Sequence, residues 1–330
     1  MIIIYILLSL FIVLFTSCVD NNHKEEVLLL DYINPVYRSD APDPSIIKAD
    51  NGNYYAYTTN ANIYESDDLM NWRLLGGAFT EFSPQWLLGG RVWAPDINFI
   101  DGMYYLFYAL SKVGEMHENG IGVAISENPQ GPFTDIGPLF TSKDIGVKNS
   151  IDPCYYSYNG KHYLVWGSFN GIYITELTKN AKEVNKNASL IQIAGTAFEA
   201  PMIYERNEYF YLFCSVGNCC LGLASTYETV VCRSDNIFGP YLDREGKSML
   251  DNNYEVILTS NNYFVGPGHN SELITDDDGK TWFLYHAYNV SEPESNRCLM
   301  LDEVKWDTHG WPYVDNPSYG LKKGPNKKND

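Results

Sequence analysis

Residues 152–168 read DPCYYSYNGKHYLVWGS, and residues 43–59 read DPSIIKADNGNYYAYTT. Both begin with an acidic residue and a proline, run through a short apolar segment, turn on Asn-Gly and enter an aromatic segment. Asn-Gly tolerates the positive φ that tight hairpin turns require, and aromatic and β-branched residues suit a pleated, half-buried surface. Each stretch is therefore predicted to be a β-hairpin. Three further copies follow: APDINFIDGMYYLFYA at 94–109, APMIYERNEYFYLFCS at 200–215 and the more diverged NSELITDDDGKTWFLYHA at 270–287. More strand-like sequence trails each copy, such as NIYESDDLMNWRLL at 62–75 and IGVAISENPQGPF at 121–133, and no long stretch carries helical periodicity. Five units of roughly 45 to 70 residues with about four strands each match the blades of a β-propeller. The expected fold is all-β, a five-bladed β-propeller.

That repeat also predicts a site. The innermost strand of every blade lines the central channel, so equivalent positions in the five units converge on one axis. The residues at or just before the prolines are Asp43, Trp93-Ala94, Asp152 and Glu199-Ala200, with His269-Asn270 in the fifth unit. Three carboxylates around one funnel can supply the acid and the base that glycoside hydrolysis needs, and the third can raise the pKa of the group that must stay protonated. The alternative is that Asp-Pro merely caps strand starts. It explains one such residue more readily than three at equivalent positions.

A net charge of −18 and a pI near 4.6 argue against nucleic acid and anionic lipid as partners, leaving a neutral polymer acceptable. Nothing resembling a Pro/Ser linker interrupts the chain after about Asp31, so residues 32–330 are expected to form one domain. Residues 1–17, MIIIYILLSLFIVLFTS, are almost wholly apolar and precede Cys18 and a polar run, which is the pattern of an export signal (1–17) followed by a linker (18–31). Thr16-Ser17-Cys18 resembles a bacterial lipoprotein processing site, implying an acylated Cys18 and a tethered protein at the outer membrane, periplasmic or on the cell surface. The other six cysteines are too few and scattered for a disulfide scaffold, and none has histidines at zinc spacing. Cys219 and Cys220 are expected to be free thiols, with a vicinal disulfide as the alternative.

The ordered series DAPDPSII (40–47), WAPDI (93–97), SIDPCYY (150–156), FEAPMIY (198–204) and GPGHNS (266–271) resembles glycoside hydrolase family 43 across nearly the whole chain. The resemblance implies an inverting enzyme with Asp43 as general base, Asp152 as pKa modulator and orienter, and Glu199 as general acid. Residues 219–249, CCLGLASTYETVVCRSDNIFGPYLDREGKSM, are similar to the endo-acting α-1,5-L-arabinanases of that family, as are GSFNGIYITEL (167–177) and WDTHGWPYV (306–314). Arabinan of plant cell-wall pectin is then the implied substrate. The resemblance further implies a calcium ion near His269, with water as most of its ligands, no organic cofactor, and Arg297 set against the sugar. Trp93 is a candidate sugar-stacking platform. An exo-acting α-L-arabinofuranosidase or β-xylosidase would keep the same carboxylates, and an inert sugar-binding propeller would use them only as hydrogen-bond acceptors. A protein-interaction propeller would not need convergent acids. A monomer is expected from the architecture.

Overall fold

The structure is a computed structural model that describes residues 31–80 and 84–326. The export signal and the acylated Cys18 expected in residues 1–30 lie outside the described residues.

After β1 (Asp31–Tyr32), the chain builds five antiparallel sheets in sequence order. The first blade holds β2 (Ser45–Lys48), β3 (Tyr54–Thr58), β4 (Asn62–Ser66) and β5 (Arg73–Gly77). The second holds β6 (Arg91–Ile100), β7 (Met103–Ser111), β8 (Gly120–Ser126) and β9 (Thr134–Thr141), and is followed by the single-turn helix α1 (Ser142–Ile145). β10 (Cys154–Tyr158), β11 (Lys161–Trp166), β12 (Ile172–Glu176) and β13 (Ile191–Ala194) form the third. β14 (Glu199–Arg206), β15 (Tyr209–Val216), β16 (Glu228–Ser234) and β17 (Glu255–Leu258) form the fourth. The fifth contains β18 (Phe264–Gly268), β19 (Ile274–Thr275), β20 (Thr281–Asn289), β21 (Arg297–Trp306) and β22 (Pro312–Tyr313), and β23 (Lys322–Lys323) returns to pair with β1. The fold is the five-bladed β-propeller that the repeat predicts.

The turn chemistry explains the hairpins. Tyr158 faces Lys161 across Asn159-Gly160, both at positive φ, and Ile100 faces Met103 across Asp101-Gly102 in the same way. Neighbouring blades pack through apolar clusters, one of which joins Phe107 and Val123 of the second blade to Leu164 and Trp166 of the third. The Phe107 and Tyr155 rings stack 5.5 Å apart across that joint. This is where much of the chain's large tyrosine content goes.

The ring is closed by the N-terminal segment, which lies along β21. Val36 donates to the Leu299 carbonyl, Leu299 to that of Tyr37, and Ala41 to that of Arg297, at 2.9, 3.1 and 2.9 Å. Asn34 is buried and makes four bonds here: its Nδ2 donates to the Leu301 carbonyl, Asp302 and Ser318, and its Oδ1 accepts from the Leu301 amide. Asp31, assigned to the linker from sequence, is instead the first residue of β1.

One backbone feature recurs in every blade. Asp43, Ala94, Asp152, Ala200 and His269 have φ of 57°, 38°, 58°, 53° and 51°, and the first four precede a proline. An L-residue in this left-handed region costs roughly 1–2 kcal/mol, so the surrounding ring must over-determine it. In β6, β14 and β18 the pairing register slips here, between Trp93 and Asp96, Glu199 and Met202, and Val265 and Gly268. Such a bulge re-aims the adjacent side chains out of the pleat.

Candidate active site

The repeated bend turns the start of each inner strand toward one cavity of about 470 Å³. Asp43, Trp93, Asp152, Glu199, His269 and Arg297, the residues singled out from sequence, all line it. The shared φ also refines their register. Asp43, Asp152 and His269 occupy the bend itself, whereas Glu199 and Trp93 stand one residue earlier, before Ala200 and Ala94.

A second set of groups comes from the far ends of the aromatic strands. Thr59, just after β3, donates from Oγ1 to Asp43 Oδ2 at 2.6 Å and accepts from the Ala94 amide at 3.0 Å. Ser168, just after β11, donates to Glu199 Oε2 at 2.8 Å. Ser215 accepts from the His269 amide at 2.8 Å, and His286 Nδ1 accepts from the Asp43 amide at 3.2 Å. Asp152 Oδ2 accepts from the Ala200 amide at 3.1 Å, so it stitches the third blade to the fourth. These contacts hold the carboxylates from the neighbouring blade or the neighbouring strand.

Electrostatics separates the carboxylates. Burial pushes Asp43 upward, but Arg297, His269 and His286 together outweigh it and hold Asp43 well below the usual carboxylate range. Arg297 Nη1 lies 3.2 Å from Asp43 Oδ1, and His269 Nδ1 lies 3.3 Å from the same oxygen. Burial also lowers both histidines, His269 to about 4, so at neutral pH the guanidinium is the charge that keeps Asp43 ionised. Glu199 moves the other way. Burial raises it to about 7, against the nearby Tyr227 hydroxyl and the hydrogen bond from Ser168, with the Asp43 charge adding to the rise. Burial and the charges of Glu199 and Asp43 push Asp152 well above its ordinary value. The charge of each opposes ionisation of the other, so Asp152 and Glu199 titrate as a pair.

Tyr227, Thr59, Ser168 and His286 were not picked out from the sequence. Tyr227 is fully buried, stacks on His286 with centroids 5.7 Å apart, and fits only because Gly268 has no side chain, since a Cβ there would lie 2.3 Å from the Tyr227 ring. Its hydroxyl sits beside Glu199 at a geometry short of a hydrogen bond, leaving a buried polar group aimed at the site. Trp93 is half-buried, with one part of its indole left to the cavity.

One expectation reads differently here. Cys219 and Cys220, expected as free thiols, are joined in a vicinal disulfide on the cavity wall; adjacency in a tight loop brings the two sulfurs together. The described residues also contain no group of three His, Cys, Asp or Glu side chains arranged to hold a metal ion. Calcium favours six to eight oxygens, so an ion at His269 would draw nearly all of its ligands from water.

A propeller whose channel holds one carboxyl kept protonated and one kept ionised has the equipment of a glycoside hydrolase. Residues 32–312 match the model for Glycosyl hydrolases family 43, and the chain belongs to that family. It is 33% identical over 84% of its length to an extracellular exo-α-(1→5)-L-arabinofuranosidase of Cellvibrio japonicus, of which 86% is covered. It is 32% identical over 82% of its length to an extracellular endo-α-(1→5)-L-arabinanase of Bacillus subtilis, again covering 86%. Among solved structures, the α-L-arabinanase of Cellvibrio cellulosa, also determined with arabinohexaose, superposes with a TM-score of 0.77 at 31% identity, covering 84% of this chain and 95% of that one.

Proposed function

We propose that this protein hydrolyses internal α-1,5-L-arabinofuranosyl links of arabinan with inversion at the anomeric carbon. The observation that carries the chemistry is the opposite displacement of Glu199 and Asp43 within one cavity. Glu199 gives its proton to the glycosidic oxygen as the C–O bond breaks. A water on the opposite face of the sugar attacks the anomeric carbon while Asp43 takes its proton. Asp152, the second raised carboxyl of the buried pair, disfavours a state in which both it and Glu199 are ionised, and fixes the fourth blade through the Ala200 amide. Arg297 holds Asp43 ionised, and Trp93 offers a ring face to a sugar C–H face.

The substrate assignment rests on the arabinanase relatives and on the arabinohexaose bound to one of them. Glu199→Gln and Asp43→Asn should each lower kcat by about a thousandfold, the scale of a general acid or base, with the fold retained. Chromatography of early products from linear arabinan separates endo from exo action: mixed oligosaccharides are expected, and arabinose alone would assign the exo activity of the Cellvibrio relative. Net retention at the anomeric carbon by NMR would remove Asp43 from the base role.

The extracellular names of both relatives support export of this chain. The membrane tether is read from Cys18, and mass spectrometry of the mature protein should find a lipid-modified N-terminal cysteine. A calcium ion at His269 belongs to the same reading; the His269 contact with Asp43 stands without it.

A further inference from the structure

Cys219 and Cys220 sit in the loop between β15 and β16, at residues 217–227. The loop is held by its own bonds: Thr226 donates to the Asn218 carbonyl at 3.1 Å, Leu221 to Ser225 Oγ at 3.0 Å, and Ser225 Oγ to the Cys219 carbonyl at 3.1 Å. It ends at Tyr227 beside Glu199. Its other side reaches Arg297, whose Nη1 lies 3.7 Å from Cys220 Sγ and 3.2 Å from Asp43 Oδ1. One loop therefore touches the groups around both the acid and the base.

The redox state of this loop is distinctive. Cys154, Cys214, Cys232 and Cys298 are buried and free, whereas Cys219 is half-buried, Cys220 is exposed, and both line the cavity. A bonded pair of sulfurs presents a fixed, apolar and polarisable surface with no donor. It can lie against the C–H face of a sugar and accept only weakly from Arg297, so the guanidinium stays with Asp43. Two thiols would instead rotate separately and add S–H donors to the wall.

We infer that the Cys219–Cys220 disulfide is a substrate-positioning wall of the catalytic cavity: its sulfur face packs on the arabinofuranosyl unit and holds Arg297 in register with Asp43. This rests on the arabinan-hydrolase reading. Reduction by a dithiol breaks the S–S bond, puts two electrons and two protons onto the sulfurs as thiols, and converts the dithiol to its cyclic disulfide.

The test compares the full protein before and after dithiothreitol, with loss of the disulfide verified as a gain of two titratable thiols, using arabinohexaose. Reduction should raise KM about tenfold with a smaller change in kcat, and should move the acidic limb of kcat/KM to higher pH as Arg297 loosens from Asp43. Reoxidation should reverse both. Cys219→Ser/Cys220→Ser should match the reduced protein and ignore the dithiol. Unchanged KM and pH limb after verified reduction would overturn the inference, as would a double variant with oxidised wild-type kinetics. If the variant fails to fold, reduced wild type decides. Arabinohexaose left uncut by the oxidised protein would count against the substrate reading, and calorimetric binding of the same sugar before and after reduction would still judge the wall.

Discussion

Glu199 and Asp43 differ in what surrounds them more than in what they are. Burial lifts Glu199 to about 7, and the Arg297 charge helps hold Asp43 low despite burial. Glu199 must be protonated and Asp43 ionised, so kcat/KM should be level through mildly acidic pH and fall as pH rises through about 7. Asp152→Asn removes a carboxyl whose ionised form repels an ionised Glu199, and should move that alkaline limb to lower pH. Tyr227→Phe removes a group that favours ionised Glu199, and should move the limb to higher pH; pH–rate profiles of the two variants check both directions. The carboxylates were legible because they begin the repeated units, where a proline marks the place. Thr59, Ser168 and His286 were not, because they follow or end the aromatic strands, where a Thr, a Ser and a His share no residue type. Only the geometry shows that these ends face the same channel. Cys219 and Cys220 were visible as a pair, but their oxidation state depends on a loop conformation that composition does not encode.

At the level of elements, the hairpins follow directly from sequence and the closure of the ring does not. Asn159-Gly160 and Asp101-Gly102 announce their turns. The segment from Tyr32 to Ala41 has no counterpart in the repeat, so nothing local says that it lies along β21. Its attachment is polar and buried: Tyr32 and Asn34 bond to the Leu301 carbonyl, and Asn34 also reaches Asp302 and Ser318. Asn34→Ala would strand several of these groups, and should destabilise the protein by about 3 kcal/mol, at one to three per buried unsatisfied group. Arg38, on the same segment and paired at the surface with Glu292 of the fifth blade, is the comparison; Arg38→Ala should cost no more than about 0.5 kcal/mol. Denaturant titration of both variants measures the difference. The closure also bears on chemistry, since Ala41 bonds the Arg297 carbonyl just before the chain reaches Asp43.

For the molecule as a whole, the site carries a stability cost that depends on pH. Glu199 and Asp302 are both raised by burial, to about 7 and about 6. A carboxyl raised in the folded state stabilises fully below its unfolded pKa, and that contribution is lost as pH rises through the folded value. Asp43 is depressed, so its contribution is present above the unfolded pKa and is lost only as pH falls toward its low folded value. The melting temperature should therefore be highest near pH 5 and decline toward pH 8. Glu199→Gln should flatten part of that decline and melt higher than wild type at pH 8, which calorimetry across the range will show. The same burial that makes an acid of Glu199 makes the native state uneasy where the acid ionises.

The pairing of β1 with β23 has a consequence for how the chain is ordered. The first and last of the described strands meet, and residues 36–41 lie along β21 of the last blade. A closed ring has no intrinsic first blade, so the linear order of the five is a matter of where the circle is cut. A circularly permuted chain, opened at the exposed Lys186-Asn187 between β12 and β13 and joined from Asn326 to Asp31, would preserve every inter-blade neighbour and divide the third blade between its termini.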